Sequence, residues 1–266
     1  MATLAQNPLT PAHAVGDERF FLRAAIVMAL IVVAGFSLHL AQGRSTFASP
    51  LRVHAHAVLF MGWVAIYVTQ NVLVATDRMA LHRRLGWIAA AWMVPMIVLG
   101  CLVTVGMVRD ARVPFFFRPV QFLVFDPAIL FTFVGLTTAA IVMRRRTEWH
   151  RRLHFCGMSI MLLPAISRLL PSPLLQPWAW EFTFALCLIF PIVGMWSDVR
   201  RSGRAHPAWR WGIAAMLGCV VVVEALTYSP VGTALYRSVT AGSPGAAIAP
   251  LDFAPPPGAQ QAAGHG

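Results

Sequence analysis

Seven apolar stretches, each long enough to cross a lipid bilayer as a helix, dominate this chain. The core of a bilayer is about 30 Å thick and needs about 20 apolar residues of α-helix, because backbone polar groups in hydrocarbon must be paired within the segment. The predicted spans run approximately over residues 24–41, 54–76, 87–108, 120–143, 153–170, 178–197 and 209–228. The sequence therefore predicts an all-α fold, a polytopic membrane bundle of about seven transmembrane helices.

The composition excludes a soluble globular protein, since 58% of the 266 residues are hydrophobic and only 12% are charged. All 21 basic residues are arginines, and most of them lie in the short breaks between the spans. This placement favours contact with anionic lipid headgroups over a nucleic-acid surface. The lipid bilayer is the expected partner, a second membrane protein is a candidate partner, and no nucleic acid is expected.

Motifs for soluble enzyme chemistry are lacking. The four cysteines lie in separate apolar runs without a Cys-x-x-Cys pair, which indicates neither a disulfide framework nor a thiolate zinc site. The sequence has no Walker loop, dinucleotide fingerprint or nucleophile elbow. Hydrolase and nucleotide-driven functions are therefore disfavoured, and the sequence identifies no reaction.

Arginine placement also predicts the orientation. If seven helices cross, 14 of the 21 arginines lie on the side of the N-terminus and 7 on the other side. Excess arginine is typical of the cytoplasmic side. We therefore expect a cytoplasmic segment 1–23, a transmembrane domain 24–228 in a bacterial inner membrane and a disordered periplasmic tail 229–266. The first span should be retained rather than cleaved as a signal peptide, because Asp17 and Glu18 precede it.

An internal repeat organises the central spans. Arg78-x-x-x-His82-Arg83-Arg84-Leu85 recurs 68 residues later as Arg146-x-x-x-His150-Arg151-Arg152-Leu153. Each copy lies between a helix that enters the arginine-rich side and the helix that returns. We infer two duplicated helical hairpins, 54–108 and 120–170, of the same orientation. In that arrangement His82 and His150 lie at similar depth.

Several motifs resemble those of uncharacterised bacterial multi-pass inner-membrane families. The shared residues are His54, His56, Trp63, Gln70, the run Leu81-His82-Arg83-Arg84-Leu85-Gly86, the run His150-Arg151-Arg152-Leu153 and the run Ala165-Ile166-Ser167-Arg168-Leu169. The similarity covers residues 54–170, less than half of the chain. It implies an inner-membrane protein and no activity.

Histidines at helix ends are candidate cofactor ligands. In membrane cytochromes two histidines at matched depth on facing helices hold a haem. His39 and His56 would form an outer pair, and His82 with His150 or His154 an inner pair, so haem b is the candidate cofactor. The alternative is that histidine followed by two arginines at a lipid boundary binds headgroups and needs no cofactor.

A polar and aromatic stripe follows one face of the second span. At 100° per residue, Trp63, Tyr67 and Gln70 share a face with His56, whereas His54 points nearly opposite. This stripe should face the bundle interior. It could line a ligand site, or it could form the hydrogen bonds that hold membrane helices together.

Ionisable residues inside the spans define a candidate outer pocket. Asp126, Arg168, Glu181 and Glu224 all lie in the outer half under the predicted topology. A charge in hydrocarbon is costly, so such residues should pair or line a watery cavity. The pocket could bind a cation, a metal or a small polar ligand. Alternatively, Arg168 neutralises one carboxylate and the others lie among wet headgroups.

Three functions remain open at this point. The first is a histidine-ligated haem or metal protein in electron transfer or respiratory-complex maturation. The second is a carrier of small solutes or ions that uses the outer acidic pocket. The third is a membrane subunit without catalytic activity.

Overall fold

The structure, a computed structural model, describes residues 11–45 and 47–254, with side chains from residue 17 onward. Over these ranges all of the regular secondary structure is helical. The helices are α1 Pro11–Ala41, α2 Leu51–Ala75, α3 Met79–Arg109, α4 Pro119–Val142, α5 Thr147–Ile160, α6 Leu163–Leu169, α7 Ala179–Ser202, α8 Pro207–Thr227 and α9 Pro230–Thr240. Two short 3₁₀ turns, Ser172–Leu175 and Pro244–Ala247, follow α6 and α9.

Six of the predicted spans are confirmed as single helices that are long and apolar enough to cross a membrane. They are α1 (from Asp17), α2, α3, α4, α7 and α8. Only 11% of the most apolar 18-residue stretch of α2 is buried within the protein, whereas 50% of the corresponding stretch of α4 is buried. Apolar side chains such as Leu30, Val94 and Val221 remain exposed. A surface of this kind needs lipid as its solvent, so the protein is a multi-pass membrane protein.

The fifth predicted span is wrong as a single helix. The chain forms α5 and then α6, separated by a turn at Met161 and Leu162. Pro164 lies in the first turn of α6. Proline has no N–H to donate to Ile160 and its ring clashes with that carbonyl, but it fits the start of a helix well. Pro95 and Pro191, by contrast, lie inside helices that continue.

Contacts between helix ends show how the chain alternates through the bundle. Asp17 at the start of α1 pairs with Arg151 near the start of α5, and Gly35 near the end of α1 lies against Ala165 of α6. Helix α1 therefore runs parallel to α5 and α6, which together extend along its length. The end of the bundle that carries Asp17, Arg83, Arg151, Asp198 and Arg201 is called the arginine-rich end below.

Helix α4 forms the centre of the bundle and packs against α3, α5, α8 and α9. Neighbouring helices approach closely at small residues. A Cβ on Gly212 would lie 2.3 Å from the sulfur of Cys156, and a Cβ on Gly194 would lie 2.3 Å from the Trp209 ring. Small residues give membrane helices the close contact that dispersion forces require.

The segment after α8 is folded, so the predicted disordered tail is wrong for residues 229–254. Helix α9 packs against α3, α4 and α8 at the end opposite the arginine-rich end. The buried hydroxyl of Tyr236 contacts the carbonyls of Gly245 and Ile248 at 2.8 and 3.2 Å. The amide of Val120 donates to the Pro250 carbonyl at 3.0 Å. These pairings satisfy polar backbone groups next to the membrane domain, while residues 255–266 lie outside the described residues.

Candidate functional site

The two copies of the histidine motif occupy the same position in their helices and bring their histidines together. Arg78 immediately precedes the first residue of α3, and Arg146 immediately precedes the first residue of α5. Four residues further on, the rings of His82 and His150 have centroids 6.1 Å apart and planes at 83°. The repeat predicts that the two histidines lie at equal depth. In the structure their rings also contact each other directly, although they belong to two different helices.

Each of these rings contacts a backbone group of the helix that precedes it. The Nδ1 atom of His150 lies 2.8 Å from the Ala140 carbonyl of α4, and the backbone of Gln70 of α2 contacts His82. Burial lowers the pKa of His150, and the nearby Arg144 lowers it further, although the Ala140 carbonyl opposes the change. Since a carbonyl oxygen can only accept, Nδ1 of His150 is the donor, and in the neutral imidazole Nε2 keeps its lone pair.

Besides Nε2 of His150, a ring nitrogen of His82 also has no hydrogen-bond partner in the described part of the chain. Its Nδ1 atom is buried and has no hydrogen bond. His154 is the third ring of the cluster, with its centroid 4.7 Å from that of His150. Even so, within residues 11–45 and 47–254 no group of three or more His, Cys, Asp or Glu side chains is placed to hold a metal ion. The geometry thus favours a pair of nitrogen ligands over a closed metal site.

The predicted outer pocket divides into two separate clusters. The first contains Asp126 of α4, whose carboxylate accepts a short hydrogen bond from Thr104 of α3. Arg168 of α6 lies close enough to interact with the charge of Asp126. Its guanidinium stacks on Phe36, 4.4 Å from the ring centroid, and its Nη1 donates to the Pro164 carbonyl at 2.5 Å. Arg168 thus lies among α1, α4 and its own helix.

Two outer histidines border the same arginine. Both His39 and His56 lie within the electrostatic reach of Arg168, and each has a buried Nδ1 atom without a hydrogen-bond partner. His56 stacks on Phe60 at 4.1 Å, whereas His54 contacts the Phe47 carbonyl at 3.1 Å in the loop before α2. An arginine beside both histidines suits a site for polar or anionic groups better than a haem.

The second outer cluster lies between α4, α7 and α8. Gln121 donates to Glu224 at 3.4 Å and also hydrogen-bonds with Glu181. Arg118 donates to the Tyr228 hydroxyl at 3.0 Å nearby. Glu181 and Glu224 are therefore bridged by a glutamine and do not join Asp126 and Arg168 in one pocket.

The polar and aromatic stripe of α2 faces its neighbours inside the bundle. Trp63 packs edge-to-face on Phe133 of α4 at 4.9 Å, and Tyr67 is 7% exposed. Gln70 lies beside Gly86, and its amide nitrogen would be 3.5 Å from a Cβ there. The stripe therefore leads along α2 from the outer histidine His56 to the ring of His82.

Sequence reasoning missed a buried ionic network at the arginine-rich end. Arg152 of α5 binds Asp198 of α7 through two hydrogen bonds of 2.8 Å, and Trp209 of α8 donates to the same carboxylate at 2.7 Å. Arg201 lies 2.6 Å from Asp17 of α1. The remaining member is Glu148, which pairs with Arg151 and Arg152. Three acids balance three arginines and tie four helices together.

A signal for this network was present in the sequence. Asp198 lies at the end of an apolar span and is followed three residues later by Arg201, the spacing of a helical ion pair. The motif copies also differ in the structure, because Arg83 and Arg84 are exposed whereas Arg151 and Arg152 face the network. Identical residues in the two copies thus have different partners.

Comparison with known proteins adds no family to this description. The chain matches no protein family model, no curated protein and no solved structure.

Proposed function

We propose that the protein binds a b-type haem between His82 and His150 and serves in electron transfer or in the maturation of a respiratory complex. The ring contact at 6.1 Å carries this proposal. Two imidazoles that share one metal atom, at metal–nitrogen distances of about 2.0–2.1 Å, can have ring centroids up to about 6 Å apart. A porphyrin would supply four further nitrogen ligands, so two histidines would be sufficient in the described part of the chain, where no three metal-binding side chains converge.

The surroundings of the two rings support the same proposal. His150 donates from Nδ1–H to the Ala140 carbonyl, which leaves Nε2 as its candidate ligand atom. Metal-binding histidines commonly donate their other ring N–H to a backbone carbonyl, which fixes the ring and its tautomer. A bound haem would supply one-electron redox chemistry, and His82 of α3 and His150 of α5 would hold it at one depth.

An absorption spectrum of the full chain tests this proposal. Protein purified in detergent from cells supplied with a haem precursor should show a Soret band that shifts on adding dithionite. His82→Ala and His150→Ala should each lose the band, whereas His54→Ala, a histidine at the opposite end, should keep it. Circular dichroism checks that each variant is folded. A colourless folded protein, before and after incubation with hemin, contradicts the haem proposal.

A second candidate function is a proton carrier that uses the first outer cluster. Asp126 and Arg168 lie inside the membrane domain beside unpartnered nitrogens of His39 and His56. Ionisable residues buried within membrane spans commonly mark ion or proton pathways. Proteoliposomes with a pH-sensitive dye and an imposed potential should show proton flux that Asp126→Asn abolishes and Glu224→Gln, in the separate cluster, leaves unchanged. An equal effect of both variants, or no flux from the unaltered protein, contradicts this candidate.

The proposed location is a bacterial inner membrane with the arginine-rich end in the cytoplasm. The excess of arginine at that end supports this orientation, and the motifs of residues 54–170 support membership of the multi-pass families that they resemble. Single cysteines placed beside Arg83 and Arg204, in a cysteine-free background, should be shielded from an impermeant thiol reagent in intact spheroplasts. A cysteine beside Arg112 should react. The reverse pattern contradicts the proposed orientation.

A further inference from the structure

A groove of about 570 Å³ runs between α1 and α7 on the outside of the bundle. Its walls are apolar in the direction of the membrane centre, where Val27 faces Ile189 and Val193. Toward the arginine-rich end its lining changes to Arg19, Arg23 and Arg201. Ile189 and Val193 are 48% and 43% exposed, so no part of the described chain covers this surface.

The dimensions of the groove fit the upper part of one lipid molecule. Helices α1 and α7 run in opposite directions, with Arg19 and Arg201 at the same end. From Arg19 to Val27 the helix rises about 12 Å, and from Arg201 to Ile189 about 18 Å, at 1.5 Å per residue. The charged mouth suits a phosphate headgroup. The apolar part of the groove, which begins about 12–18 Å from the arginines, suits the first part of an acyl chain.

The mouth of the groove is positively charged, and two of its three arginines have no counter-charge within residues 17–45 and 47–254. Arg201 is paired with Asp17 and Asp198 in the balanced ionic network. Arg19 and Arg23, one turn apart on α1, are exposed, and neither has an ion pair or hydrogen bond with any residue in 17–45 or 47–254. Two free guanidiniums at a membrane boundary attract anionic headgroups and bind phosphate oxygens with paired N–H donors.

From this geometry we infer that the groove between α1 and α7 is a binding site for one anionic glycerophospholipid. The phosphate lies between Arg19 and Arg23, and an acyl chain lies along Val27, Ile189 and Val193. The bound lipid fills the space between α1 and α7, which are also joined near one end by the ion pair between Arg201 and Asp17. This site is independent of the proposed haem and does not use His82 or His150.

Lipid titration of the purified full chain tests the inference. Native mass spectrometry should show one bound short-chain phosphatidylglycerol at concentrations where phosphatidylcholine of the same chain length does not bind. Inorganic phosphate should neither bind nor compete, because it lacks the apolar chain. Each arginine beside an anionic lipid contributes roughly a fivefold gain in affinity, so Arg19→Gln combined with Arg23→Gln should weaken binding about 30-fold.

Matched variants separate this site from general attraction to the arginine-rich end. Arg83→Gln combined with Arg84→Gln removes two exposed arginines outside the groove and should leave the affinity unchanged. Val193→Trp fills the apolar half without changing charge and should weaken binding, whereas Val222→Trp on α8 should not. Equal losses in the two arginine pairs, competition by inorganic phosphate or unchanged binding after Val193→Trp would overturn the inference.

Discussion

Arg152 of α5 and Asp198 of α7 form a bidentate ion pair, with Nε to Oδ2 and Nη2 to Oδ1 both at 2.8 Å. The side chains are 5% and 3% exposed. Removing one partner of such a pair leaves an uncompensated buried charge, which costs more than the pair itself contributes. The pair therefore holds α5 against α7 at the arginine-rich end, close to His150.

Asp198→Asn should lower the free energy of unfolding by about 3–5 kcal/mol, because it leaves the buried guanidinium of Arg152 without its main counter-charge. Titration of the detergent-solubilised protein with SDS measures this change. Arg204→Gln, at an exposed position six residues later, is the control and should change stability by less than about 0.5 kcal/mol. Equal losses in the two variants would show that the ion pair does not stabilise the bundle.

Glu148 makes stability depend on pH in the acid range. Burial raises the pKa of its carboxyl, but hydrogen bonds and charge from Arg151 and Arg152 outweigh burial, so the pKa is lowered. A lowered folded-state pKa contributes stability above the unfolded value of about 4.3, and this contribution is lost as the pH falls through the folded value.

Glu148→Gln should therefore be less stable than the unaltered protein at pH 7, by no more than about 1 kcal/mol for a partly exposed pair. The difference should shrink as the pH is lowered below about 4. Melting temperatures measured between pH 3 and 8 check this. Glu18→Gln removes a carboxylate that has no ion pair within the described ranges and is the control for the loss of one acidic charge near the same end of the bundle. A difference that does not vary with pH would contradict the role of Glu148.

Gly35 sets the distance between α1 and α6. A Cβ at this position would lie 2.4 Å from the Ala165 carbonyl oxygen, which belongs to backbone and cannot rotate away. Gly35→Ala should destabilise the protein by about 1–3 kcal/mol through overpacking. Gly218→Ala on α8 meets nothing within 4 Å and should be neutral or slightly stabilising. Thermal unfolding of both variants measures the difference, and identical melting curves would refute the close contact.

Tyr236 holds the segment after α9 against the membrane domain. Tyr236→Phe should cost about 1 kcal/mol, since it removes the hydroxyl that contacts the carbonyls of Gly245 and Ile248. Limited proteolysis should cut within residues 241–254 faster in this variant. Tyr228→Phe removes an exposed hydroxyl that only accepts from Arg118 and should leave the cleavage rate unchanged. Equal cleavage rates for Tyr236→Phe and the unaltered protein would show that the hydroxyl does not anchor the segment.

Much of the candidate site followed from sequence position. The shared Arg-x-x-x-His-Arg-Arg-Leu motif predicted equal depth for His82 and His150, since a helix advances by a fixed distance per residue from its start. The same regularity predicted the buried face of Trp63 and Tyr67 on α2. It did not predict that Asp126 and Arg168 lie apart from Glu181 and Glu224, because depth in the membrane does not specify which helices are neighbours.

By itself, the sequence determined that the chain crosses a membrane many times and where nearly all of the crossings lie. Long apolar stretches have only one low-energy solution in lipid, the hydrogen-bonded helix. Only the tertiary structure decided that Pro164 divides a predicted span into two helices, that α9 folds against the bundle, and that Asp17 and Asp198 share the arginines of α5. These outcomes depend on contacts between residues far apart in the chain, which the local pattern of polarity does not encode.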